Sequence, residues 1–200
     1  MKPARASIDD ESGISLVELL VYSMLIGLVL VIVGGMLISS LSTEKTVRSV
    51  VQATTAGQLA SRSIDAGVRN ALQLQLSSPA GSDQLIRARV QDAKAPDTTY
   101  CAAWYYSDAD GTIRYKAFTP SSPAATAVIP ATFTPAELAS WLLLVDGVSP
   151  AAGRPASDPI FALVGTALSV DFAVSAGDDP PPAISTSSTR RLTQENSQCY

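Results

Sequence analysis

The chain contains no histidine. That absence removes the commonest general base and the commonest metal ligand. Cysteine is scarce, with Cys101 and Cys199 alone. Two thiols without histidine do not make an ordinary zinc site. In an exported domain they read as one disulfide, and in a cytosolic domain as two buried thiols. Neither sign of charge dominates. The formal net charge is −4, and from Ser39 onward 12 basic residues stand against 14 acidic ones. That balance argues against a large electrostatic footprint for nucleic acid and leaves room only for a small basic patch. There is no G-x-S-x-G, and Gly81, Gly165 and Gly177 lie in no phosphate-binding pattern. No catalytic residue, metal site or cofactor is expected. Two hundred residues fit one globular domain and one special segment, and no internal repeat is visible.

Proline is missing from Ile14 to Ser78, and within that stretch the apolar residues are dense at one end. Residues 1–13, MKPARASIDDESG, are polar. Ile14 to Ile38 then run for 25 residues with one charge, Glu18. As a helix this block spans about 37 Å, enough for the hydrocarbon core of a bilayer with some tilt. A secretory signal peptide has a shorter apolar region followed by a small-residue cleavage site, and no A-x-A follows here. A plain single-span anchor accounts for length and hydropathy but not for Glu18. A carboxylate inside lipid is expensive and usually has a partner or a function.

Gly13-Ile14-Ser15-Leu16-Val17-Glu18 resembles the processing site of type IV prepilins and type II secretion pseudopilins. Four features coincide: a polar leader, a glycine, a glutamate at the right offset and an unbroken apolar helix. The resemblance implies cleavage between Gly13 and Ile14 by a prepilin peptidase on the cytoplasmic side, and methylation of the new N-terminus. Glu18 is then the fifth mature residue and the one that serves assembly. Ile14 stands where the family often has phenylalanine. The family's usual kinking proline is absent, and Gly34-Gly35 lies near its place. The resemblance is specific over residues 13–38 and only architectural beyond.

Past Ile38 the pattern turns amphipathic, with Val47, Val51, Leu59, Ile64, Val68 and Leu72 on one stripe and several alanines between them. One helix is expected from Ile14 to about Leu76, about 95 Å long. Ser77 to Asp83 stop it. Ile86, Ala88 and Val90 alternate with Arg87, Arg89 and Gln91 as a strand. Tyr100–Tyr106 and Thr112–Phe118 flank Asp108-Ala109-Asp110-Gly111 as a hairpin. That Asp-rich turn resembles the start of a calcium loop, but Phe118 stands where a closing glutamate is needed, and an ordinary tight turn is the better reading. Thr134-Pro135-Ala136-Glu137 opens a short helix through Leu144. Val148 to Pro159 reads as a loop, Leu168 to Val174 as a strand, Gly177 to Thr189 as turn-rich, and Arg190 to Thr193 as a last short strand.

The fold class is therefore α+β: a long N-terminal helix, its first half membrane-spanning, packed on a small antiparallel sheet domain with long loops. The expected organisation is a leader over 1–13, a membrane or filament-core helix over 14–38, its amphipathic continuation over 39–76, and an extracytoplasmic β-rich domain over 77–200. Trp104, Tyr105, Tyr106 and Tyr115, with Arg87, Arg89, Arg114 and Lys116 nearby, could stack and bind DNA bases. A sheet with one face on the helix is the better account of them.

The resemblance implies a minor pilin or pseudopilin, with prepilin peptidase, other pilin subunits, a membrane platform protein and lipid as partners. It implies no enzyme activity. It places the N-terminus in the cytoplasm and the domain outside, in a filament once assembled. The competing function is a surface-anchored, adhesin-like binding module on one membrane helix, and Glu18 discriminates, since an anchor gains nothing from a membrane carboxylate.

Overall fold

The computed structural model describes residues 15–92, 94–95, 98–118, 128–151, 153–155, 158–191 and 199. The first element, α1, is a helix over Leu16–Arg69. The chain divides into two compact units, Met1–Lys45 and Thr46–Tyr200, and α1 contributes to both. In the first unit α1 is helical through Gly27 and through Gly34-Gly35.

The second unit holds the last part of α1 and all the strands. β1 (Ala71–Ser77), β2 (Gln84–Gln91), β3 (Thr99–Ser107), β4 (Thr112–Phe118) and β5 (Leu142–Val145) form an antiparallel sheet in that order. A short helix, α2 (Pro135–Ala139), precedes β5. The second sheet is built on β8 (Ala167–Val174). β6 (Val148–Pro150) and β7 (Phe161–Val164) pair with its two ends, and β9 (Ala183–Thr189) pairs along its length, all antiparallel. The class is α+β, with the helix packed on antiparallel sheets.

Period-two patterning explains how the sheets meet the helix. Ile86, Ala88 and Val90 of β2 and Ala102, Trp104 and Tyr106 of β3 share a core with Ile64 and Val68 of α1. Leu168, Val170, Phe172 and Val174 of β8 enter the same core. The helix face they meet is made of small residues: Ala53, Gly57, Ala60, Ser61 and Gly67 are buried beside Ile64 and Val68. A Cβ at Gly57 would stand 2.8 Å from Ile184 Cγ1, and one at Gly67 would overlap the six-membered ring of Trp104. That ring is fixed by its Nε1, which donates to Ser63 Oγ at 3.1 Å.

Polar side chains stitch the parts together. Buried Gln84 of β2 donates from Nε2 to the Phe161 carbonyl at 3.0 Å and accepts from the Phe161 amide at 2.9 Å, so one amide side chain joins the two sheets as a backbone rung would. Asp65 of α1 accepts hydrogen bonds from Ser188 of β9 and from Arg69 Nε. Burial pushes the Asp65 carboxyl up, but these two bonds and the arginine charges outweigh it and hold the group below the usual carboxylate range.

Several boundaries differ from the sequence reading. The helix ends at Arg69, where Asn70 turns its side chain back to donate to the Ala66 carbonyl at 3.0 Å. Residues expected as its last turns are β1: Leu72, Leu74 and Leu76 alternate with Gln73, Gln75 and Ser77, which is a strand period and not a helical one. Thr134 and Glu137 do form the capping box of α2, but that helix stops at Ala139, and Leu142–Val145 is spent on β5 against β4. The stretch from Val148 opens with β6, and the turn-rich stretch contains β9. Arg190 and Arg191 follow β9 as non-strand residues, and Leu192 and Thr193 of the expected last strand lie outside the described residues.

Gly67→Ala is expected to destabilise the protein despite a better helix propensity. The propensity gain is about 1 kcal/mol, whereas forcing a methyl into a packed core costs about 1–3 kcal/mol and more where the neighbour is a pinned ring. Chemical denaturation in detergent, followed by tryptophan fluorescence, measures the difference. Gly35→Ala, at a position with open space around it, is the control and should show no such loss.

Candidate functional site

The segment with the clearest chemical anomaly is the start of α1. Every large apolar side chain from Leu16 to Leu41 is exposed, from 48% at Val21 to 81% at Leu16. By length and composition this helix is able to cross a membrane. Between Ser15 and Leu41 its one ionisable acid is Glu18, and there is no lysine or arginine.

Glu18 lies in the first turn of α1. A carboxylate there is favoured by the partial positive charge of the helix N-terminus. One turn later Tyr22 donates from its hydroxyl to Glu18 Oε1 at 3.2 Å. Gly13 and Ile14, the expected processing pair, lie outside the described residues. The Tyr22 contact was readable in principle from the i, i+4 spacing of an acid and a phenol, but composition alone gave no reason to single it out.

No protein-family model, curated protein or solved structure matches the chain.

Cys101 and Cys199 lie at disulfide distance, with Cα atoms 5.8 Å apart. They sit on the face of the first sheet that turns away from α1. Leu85, Cys101, Ala103 and Tyr105 of that face are covered by Ile129, Trp141 and Cys199, with Phe118, Phe133 and Leu138 packed around them. Tyr105 meets Trp141 and Phe133 edge to face, and Phe133 meets Trp141 at 4.7 Å between ring centres. The Ile129 amide donates to the Cys199 carbonyl at 2.6 Å, so Cys199 is held by a backbone bond as well as by sulfur. Arg87 is buried beneath this cover and donates to the Ile129 carbonyl at 3.2 Å and to Gln75 Oε1 at 2.5 Å. The sheet thus has one face on the helix, as the sequence reading expects, and a second apolar cluster on the other.

The remaining candidates are taken up by the fold. Asp83 Oδ2 accepts from the Tyr105 hydroxyl at 2.5 Å, and its Oδ1 accepts from the Asp108 amide at 2.8 Å. Asp108 accepts from the Tyr106 hydroxyl at 3.0 Å, and Asp110 from Ser107 Oγ at 3.1 Å. Burial first, then these bonds to carboxylates, push the Tyr105 and Tyr106 hydroxyls far above their ordinary range. Gly111 closes the turn at a φ of +58°, where glycine is at ease. Among the described residues no three acidic or cysteine side chains gather as a metal would require. Trp104, Tyr105 and Tyr106 are buried, on alternate faces of β3, so they have no free ring face for a nucleobase. Arg89 donates to Thr99 Oγ1, and Arg114 to the Leu138 carbonyl.

Cys101→Ser should lower stability strongly. The two cysteines are 98 residues apart, and in the chain-entropy model a closed loop of that size contributes about 4–5 kcal/mol. Denaturation of wild type with and without reductant, compared with the variant, measures it. Labelling of the denatured, unreduced wild type should find no reactive thiol, and two labelled thiols would rule the bridge out.

Proposed function

We propose that this chain is a minor pilin or pseudopilin, a structural subunit of a type IV pilus, competence pilus or type II secretion-like filament. One observation carries the reading: a single carboxylate, Glu18, stands fifth from Ile14 on an exposed apolar helix. In this reading a prepilin peptidase cuts after Gly13 and frees the amine of Ile14. Gly13 suits such a cut because it presents a flexible peptide without a side chain. The leader stays in the cytoplasm, where Lys2 and Arg5 favour it, and the β-rich domain lies outside. An oxidising exterior agrees with the Cys101–Cys199 pair. The subunit is a mechanical part with no reaction of its own. Its partners are the peptidase, other pilin subunits, the membrane platform protein and lipid.

Glu18 gives the reading its physical content. An unpaired carboxylate in hydrocarbon costs about 2–3 kcal/mol on insertion scales. An anchor gets no return for that. An assembling subunit pairs it with the positive N-terminus of a neighbour. Both charges are desolvated, so much of the Coulomb attraction is offset and the pairing sets axial register more than tightness.

Mature protein extracted from membranes should begin at Ile14 by intact-mass measurement, and Gly13→Val should block the cut. A chain that keeps Met1 to Gly13 in cells with an active peptidase would refute processing. Glu18→Ala should be inserted and cleaved normally but enter filaments far less, measured as the ratio of sheared-filament to membrane-bound protein. Glu18→Asp should be intermediate. Entry of Glu18→Ala at the wild-type level would remove the assembly role and favour a surface-anchored binding module.

A further inference from the structure

We infer that Tyr22 is a positioning residue for Glu18, holding its carboxylate on the helix surface for the amine of a neighbouring subunit. This role rests on the filament reading above.

The geometry is local. Residues four apart share a helix face, and side chains on a helix lean toward its N-terminus, so the Tyr22 ring lies back over the turn that carries Glu18. Its hydroxyl donates to Oε1 at 3.2 Å. Oε2 has no hydrogen bond among the described residues. Of the described side chains nearby, Ser23 Oγ donates to the Leu20 carbonyl at 2.8 Å, and no lysine or arginine occurs from Ser15 to Leu41. The phenol is thus the one described side chain that donates to the carboxylate.

In lipid this matters in two ways. At 3.2 Å the bond is longer than the usual O–H···O distance, and a low dielectric strengthens it relative to water. It also fixes a long, rotamer-rich side chain, so less freedom is lost when the amine docks on Oε2. The competing account of Tyr22 is an interfacial aromatic, whose ring sits at the headgroup level about 9 Å along the helix from Leu16. That account needs the ring and not the hydroxyl. Tyr22→Phe separates the two.

The experiment is a double-mutant cycle on the full-length chain, read as the ratio of sheared-filament to membrane-bound protein. The four chains are wild type, Tyr22→Phe, Glu18→Asp and the double variant, with Glu18→Ala as reference. Aspartate is one methylene shorter and draws its carboxyl out of reach of the phenol. With Glu18 in place, Tyr22→Phe should lower the ratio about fivefold, as expected for loss of an ordinary hydrogen bond. In the Glu18→Asp background the same change should lower it less than about twofold. Normalising to the membrane-bound pool removes any loss in insertion. An unchanged ratio for Tyr22→Phe overturns the role, and so does an equal loss in the two backgrounds, which would make Tyr22 a packing residue. If Glu18→Ala itself enters filaments normally, the filament reading fails and this role with it. A loss with Glu18→Ala and none with Tyr22→Phe removes Tyr22 alone.

Discussion

One helix face has to receive two sheets. This is possible because that face carries almost no side chain where the contacts are closest. Gly57 lets Ile184 and Val174 approach, and Gly67 lets the Trp104 indole lie against the helix backbone. Ile64 and Val68 then fill the space between these contacts. Burial of a large aliphatic side chain contributes about 1.5–3 kcal/mol, and two of them on so short a stretch of helix are enough only because the glycines bring so many partners within reach. Ser63 and Asp65 are secondary to this arrangement: the bonds they make with Trp104 and Ser188 require the helix to be as close as the glycines allow.

The two ends of α1 obey different solvents. From Ala53 to Val68 its buried positions recur at intervals of three and four, and the opposite side is exposed. From Leu16 to Leu41 apolar residues surround the axis and none is buried. An apolar helix with no polar face has no reason to be in water. Within it a carboxylate and a phenol stand together near the start, and the rest is hydrocarbon interrupted by glycine and serine.

Much of this was legible in the sequence where one period dominated a segment. The apolar run, the alternation of Ile86, Ala88 and Val90, the hairpin about Asp108-Ala109-Asp110-Gly111 and the strand around Val170 are all elements of the structure. The reading failed where two periods shared residues. Leu72 continues the helical stripe of Ile64 and Val68, yet it also begins the Leu72, Leu74, Leu76 alternation. Asn70 decides between them through a bond no pattern contains. Leu142 to Val145 look like the continuation of a helix because leucine is at home there, and only the free edge of β4 makes them a strand. β9 was hidden for a different reason. Serine and threonine next to three prolines read as a turn, and their pairing depends on β8, which lies close in space and not in pattern. Of the candidate site, Glu18 was plain from its isolation among apolar residues. Its hydroxyl partner was not, because a tyrosine in an apolar run suggests a membrane boundary first.

The bond between Cys101 and Cys199 turns half of the polypeptide into a closed ring. For a chain held at its helix and drawn from its last residue, that ring is invisible to the force. The separation of 98 positions between the two cysteines corresponds to about 330 Å of contour that tension cannot release while the sulfurs stay joined. What can be drawn out is the helix and the first two strands, while Trp104, Val174 and Ile184, which meet Gly67 and Gly57, stay inside the ring. Under load the molecule would therefore yield at its helix–sheet seam, with the aromatic cover on the far face of the sheet left intact.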